Sequence, residues 1–138
     1  MAKNRTFDFD QAVDAMDNGD FALLEKCLRF NPELVSERDT SNATLLIRLI
    51  DHPGHRLNAA AMARLLIKTG AEVDVRRNDD KGTPLTGVIR THELDTARVL
   101  LEAGADLDAP CGFCDGTAYE LALESNNKEL VQLVKQYR

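Results

Sequence analysis

The chain repeats itself at a fixed interval. The segment 70–74, Gly-Ala-Glu-Val-Asp, returns as Gly-Ala-Asp-Leu-Asp at 104–108, and Gly-Thr-Pro-Leu at 82–85 returns as Gly-Thr-Ala-Tyr at 116–119, both at an offset of 34. A period of this size indicates a stack of small supersecondary units, each of which needs its neighbours to bury its apolar face. The default expectation is therefore an elongated binding surface rather than a catalytic pocket.

The same register extends toward the amino terminus. Residues 31–34 align with 70–73, and residues 43–46 align with 82–85, both at an offset of 39. The extra residues that make this offset 39 rather than 34 fall in the segment 51–57. Pro and Gly in this segment cannot continue a helix, so the second unit is predicted to carry an enlarged turn. A weaker match near the amino terminus completes a single domain, 1–138, of four units with approximate bounds 8–43, 44–82, 83–116 and 117–138.

Each unit has the pattern of helix, turn, helix and exposed loop. Pro84 fits the first position of a helix, and Thr117 with Glu120 has the spacing of a capping box, as does Asp8 with Gln11. First helices are predicted to start at the N-caps Asp8, Thr44, Thr83 and Thr117. Second helices, with apolar residues at helical spacing, are predicted to begin after Gly19, near Asn58, after His92 and after Asn127.

The third unit resembles a known family. Gly-Thr-Pro-Leu at 82–85, Thr-His-Glu-Leu-Asp at 91–95 and Ala-Arg-Val-Leu-Leu-Glu-Ala-Gly-Ala-Asp-Leu-Asp at 97–108 are similar to an ankyrin repeat. The resemblance covers roughly residues 8 to 137 and is strongest in the third unit. It implies an all-α solenoid of about four helix-turn-helix units, joined by β-hairpin-like finger loops. Finger tips and first helices would then line a concave surface.

Composition narrows the possible partners and compartments. Of 138 residues 43% are hydrophobic, enough for a continuous core without metals or disulfides, and the net charge of −6 disfavours a nucleic-acid ligand. Neither an export signal nor a run of membrane-spanning length is visible, so no membrane association is expected. Three cysteines favour reduced thiols in the cytoplasm, although a protein delivered by a specialised secretion system would have the same features. A monomer is expected.

The resemblance implies a non-enzymatic protein–protein interaction module. It would bind an unidentified partner protein through its concave face and finger loops, as an inhibitor or a scaffold. Surface charge at these loops also serves solubility, and Phe113 either packs onto the next unit or anchors a partner, so both interpretations stay open. The candidate protein-binding residues are Arg38, Asp51, His52, Arg76, Arg77, Asp79, Asp80, Arg90, Phe113 and Glu124.

Two alternatives belong to other classes. Cys111 and Cys114 have the spacing of a metal or redox pair, which makes a redox or metal-binding protein the second hypothesis. Against it, a structural zinc site needs about four ligands and a thioredoxin-like motif needs a βαβ context that the sequence lacks. A structural role in a larger assembly is the third hypothesis. No catalytic residues, metal site or cofactor are expected, and the chain is not expected to be an enzyme.

Overall fold

Helices make up the regular structure of the chain. The computed structural model describes residues 7–51, 58–76, 81–112 and 115–138, and the expectation of an all-α protein is confirmed for these residues. The α-helices are α1 Phe9–Asp17, α2 Phe21–Phe30, α3 Leu45–Ile50, α4 Ala59–Thr69, α5 Pro84–Thr91, α6 Leu94–Glu102, α7 Ala118–Leu123 and α8 Lys128–Gln136, with a 3-10 helix over Pro32–Ser36.

The helices form two rows. Helices α1, α3, α5 and α7 contact one another in series and form the first row, and α2, α4, α6 and α8 form the second row in the same way. Each helix of the first row also contacts the helix that follows it in the chain. The core lies between the rows and consists mainly of aliphatic side chains, because each helix buries one apolar stripe against its neighbours.

Short polar side chains set the start of most helices. Thr44, Thr83 and Thr117 accept hydrogen bonds from backbone N–H groups three residues later, and Thr117 forms the predicted reciprocal box with Glu120. At the amino terminus the box is only half formed. Asp8 accepts from the Gln11 N–H, but the Gln11 side chain accepts from the N–H of Phe7 instead of Asp8.

The turn between the two helices of a unit has the same backbone conformation in all four units. Gly19, Asn58, His92 and Asn126 all have left-handed φ angles, of 68°, 63°, 62° and 61°. Their successive offsets of 39, 34 and 34 reproduce those seen in the sequence, including the longer second unit. Because this region of φ is costly for most side chains, its recurrence shows that the structure repeats along with the sequence.

Loops between the units use a few backbone bonds in place of strands. Within the described residues, β-type pairing is limited to one antiparallel bridge between Pro110 and Thr117, next to a bond from the Cys111 N–H to the Gly116 carbonyl of 2.9 Å. The loop after the first unit closes with a bond of 3.0 Å from the Asp39 N–H to the Ala43 carbonyl. These bonds close the loops that precede α3 and α7.

Candidate interaction surface

Two of the predicted contact arginines brace the loops that carry them. Arg38 Nη1 donates to the carbonyl of Asn42 at 2.8 Å, and Arg76 Nη1 donates to the carbonyl of Lys81 at 2.9 Å. Asn42 and Lys81 both have a φ of 64° and are related by the offset of the second unit, so the two bonds close equivalent turns. Both arginines remain exposed. Each arginine therefore stabilises its loop through one hydrogen bond, and part of its guanidinium group remains available at the surface for a partner.

Asp39 holds the first of these loops against α3. Its Oδ1 accepts from the N–H groups of Ser41 and Ala43, at 2.8 and 3.0 Å, and its Oδ2 accepts from Arg48 Nη1 at 2.5 Å. Burial raises the pKa of Asp39, but the bonds from Ala43, Arg48 and Ser41 outweigh it and hold the pKa below its usual value. Sequence reasoning missed this pair, although the Asp-Thr-Ser-Asn sequence at 39–42 is typical of a side-chain-stabilised turn.

Three other predicted residues occupy one register position at the ends of first-row helices. Asp51, Arg90 and Glu124 are related by the same two offsets as the repeats, first 39 and then 34, and are all exposed. Asp51 and Glu124 are the C-cap residues of α3 and α7, and Arg90 lies in the last turn of α5. The structure therefore places the three charges, alternately negative and positive, at equivalent points along the row.

Charge is divided unequally between the two rows. Counted with their capping residues, the first-row helices carry seven carboxylates and two arginines, whereas the second-row helices carry six carboxylates and seven lysines or arginines. The first-row carboxylates are Asp8, Asp10, Asp14, Asp17, Asp51, Glu120 and Glu124. The first row therefore creates a negative field that the second row lacks.

The remaining predicted contacts fall outside the described residues. These are His52, Arg77, Asp79, Asp80 and Phe113, together with Cys114 of the cysteine motif.

The cysteines differ from the expectation of reduced thiols. Cys111 is fully buried and disulfide-bonded, so the expectation is wrong for this residue, whereas Cys27 is a free, buried thiol. Burial, assisted by the nearby Asp8 carboxylate, raises the pKa of the Cys27 thiol. Cys27 therefore acts as a small apolar side chain in the core. Across the described part of the chain, no three His, Cys, Asp or Glu side chains form a group able to hold a metal ion.

Comparisons with known proteins give no assignment. The chain matches no protein-family model, and it has no significant match among curated proteins. Among the helices in the described ranges, none has the length and apolar character needed to cross a membrane.

Proposed function

We propose that this chain is a non-enzymatic ankyrin-repeat protein that binds a partner protein through the first row and the loops between units. The proposal is supported by the two rows of helices, the recurring left-handed turns and the family resemblance of residues 82–108. In a solenoid of this kind, the first row and the finger loops line the concave side. The proposal also includes that the protein is a monomer and that it acts in the cytoplasm.

The unequal charge of the two rows is the observation that carries the proposal. Seven carboxylates on the first row, against two arginines, favour a partner whose contact surface is basic. Arg38, Arg76 and Arg90 interrupt this negative surface at defined points, and each can receive a carboxylate of the partner. A rigid stack loses little conformational entropy on binding, so a modest contact area can still be specific.

Charge reversal on one row tests the proposal. Partners captured from the native host with the wild-type chain are compared with those captured by Asp14→Lys, by Glu124→Lys and by the second-row control Glu102→Lys. Glu102 is exposed, and within the described residues its ion pair with Arg64 is long, at 3.8 Å, so we expect its replacement to leave the fold intact. We expect the first-row variants to lose the captured protein and the control to retain it. Equal capture by all four chains, with unchanged circular dichroism, would refute binding through this face.

A redox role remains the second candidate, because Cys111 is disulfide-bonded. Cys111 is fully buried, whereas reactive cysteines are partly exposed. A structural cross-link of the loop is the expected role. Thiol counting across a series of redox buffers separates the two: a structural disulfide stays oxidised at potentials near that of the cytosolic glutathione pool, whereas a redox site is reduced within that range.

A further inference from the structure

A cavity of about 620 Å³ lies between the N-terminal ends of α4 and α6 in the second row. Its walls are the segments 58–61 and 92–96, from two consecutive units. The volume lies within the range of small-molecule pockets, roughly 300–1,000 Å³. None of the predicted protein contacts that the structure describes lines this cavity, so it is a separate feature from that part of the proposed surface.

The first wall presents backbone donors without acceptors. Asn58 precedes α4 in a left-handed conformation and makes no side-chain cap, and its Nδ2 donates to the carbonyl of Gly19 at 3.0 Å. Within the described residues, no acceptor is bonded to the N–H groups of Ala59, Ala60 and Ala61, and the first turn has no acidic residue. Such a helix start favours an anionic group because its N–H groups and dipole both point toward it.

Thr96 provides an independent indication of a ligand. Thr96 as a whole residue is only 4% exposed, and it lines the same cavity. The other buried threonines, Thr44, Thr83 and Thr86, all form capping hydrogen bonds. In the part of the chain that the structure describes, the Thr96 hydroxyl has no partner. A buried hydroxyl without a partner is unfavourable, and a polar ligand in the cavity would satisfy it.

The second wall is negative. Asp95 lies in the first turn of α6, and Glu93 accepts from the Thr91 hydroxyl at 2.7 Å. Both residues line the cavity, so a simple anion bound to α4 would also meet two carboxylates. A ligand with an anionic group at one end and a cationic group at the other satisfies both walls. Ala60 and Leu94 add apolar surface between them.

We propose that this cavity binds a free α-amino acid with an apolar side chain. The ligand carboxylate accepts from the N–H groups at the start of α4, the ammonium group donates to Asp95, and Thr96 hydrogen-bonds the bound zwitterion. The apolar side chain contacts Ala60 and Leu94. For a ligand of this size in an accessible cavity, the dissociation constant is expected on the order of 1 mM.

Titration of the labelled protein with L-leucine tests the proposal. We expect saturable shifts of the Ala59, Ala60, Ala61 and Thr96 amide signals in ¹⁵N–¹H spectra. Two probes each lack one charge: 4-methylpentanoate has no ammonium group and 3-methylbutylamine has no carboxylate. Each is expected to bind about tenfold more weakly. No saturable shift with leucine, or equal binding of 4-methylpentanoate, would overturn the proposal.

Variants add a second measurement. Thr96→Val keeps the side-chain shape and removes the hydroxyl. It should leave the fold at least as stable and weaken leucine binding roughly threefold to tenfold. Asp95→Asn should weaken binding to a similar extent. Glu129→Gln is the matched control, because Glu129 occupies the equivalent position to Asp95 in the next unit, in the first turn of α8. Unchanged affinity in both cavity variants would overturn the assignment even if leucine binds elsewhere.

Discussion

Asp39 offers the most direct test of how the loops are held to the first row. Its carboxylate joins two backbone N–H groups of its own loop to Arg48 on α3, and only 13% of its side chain is exposed. A hydrogen bond to a charged group contributes about 1.5–3 kcal/mol. Since the Arg48 side chain is 41% exposed, water replaces part of the hydrogen bonding that Asp39→Ala removes. We therefore expect the free energy of unfolding to fall by about 2 kcal/mol, which is less than the sum for the three hydrogen bonds of Asp39.

The isosteric variant Asp39→Asn separates the charge from the hydrogen bonds. Asparagine can still accept hydrogen bonds from the N–H groups of Ser41 and Ala43, but it loses the ion pair with Arg48. We therefore expect the free energy of unfolding to fall by about 1 kcal/mol at pH 7. The folded-state pKa of Asp39 is lowered, so its stabilisation is complete above the unfolded value of about 3.9 and is lost as the pH falls through the folded pKa. The difference between wild type and Asp39→Asn should therefore shrink as the pH falls from about 4 toward the folded pKa.

Urea unfolding followed by circular dichroism measures both effects. With a slope of about 2 kcal/mol per molar urea, Asp39→Ala should lower the midpoint by roughly 1 M at pH 7. Asp115→Asn is the control, because Asp115 is exposed and has no hydrogen bond within the described residues. A difference between wild type and Asp39→Asn that stays constant from pH 7 to pH 3 would show that the charge of Asp39 does not stabilise the loop.

Two further predictions concern the core. Leu100 is fully buried between the rows, so Leu100→Ala should lower the free energy of unfolding in urea by about 2–5 kcal/mol. Leu123 is 40% exposed, so Leu123→Ala should lower it by less than about 1 kcal/mol. Similar losses for the two variants would contradict the two-row core. Cys27 is buried with a raised pKa, so it should not react with a thiol reagent at pH 8 in the native protein and should react fully in urea; rapid native labelling would contradict its burial.

The helices were predictable because their signals are local. The N-caps Thr44, Thr83 and Thr117 act on N–H groups three residues away, so their effect is visible in any short stretch of sequence. The repeat period located the starts of the second-row helices for a similar reason, since a helix start depends mostly on neighbouring residues. The enlarged turn after α3 was located in the sequence, but most of it falls outside the described residues.

The candidate surface was predictable only in outline. The sequence placed Arg38 and Arg76 in loops, but their bonds to the carbonyls of Asn42 and Lys81 depend on how each loop folds back. The pairing of Asp39 with Arg48 required α3 to lie beside the loop. A side chain with several rotatable bonds has many possible partners, and the surrounding packing selects one of them.

The sequence by itself determined the repeat, the helix starts and the apolar stripes, because each depends on residues within a few turns of one another. The tertiary structure decided which polar groups are left without a partner. Asn58 turns away from the helix it precedes to reach Gly19, in the preceding unit of the chain. The start of α4 is left without a side-chain cap, at a cavity that Thr96 also lines. Satisfaction of buried polar groups is a property of the packed chain, so no local pattern encodes it.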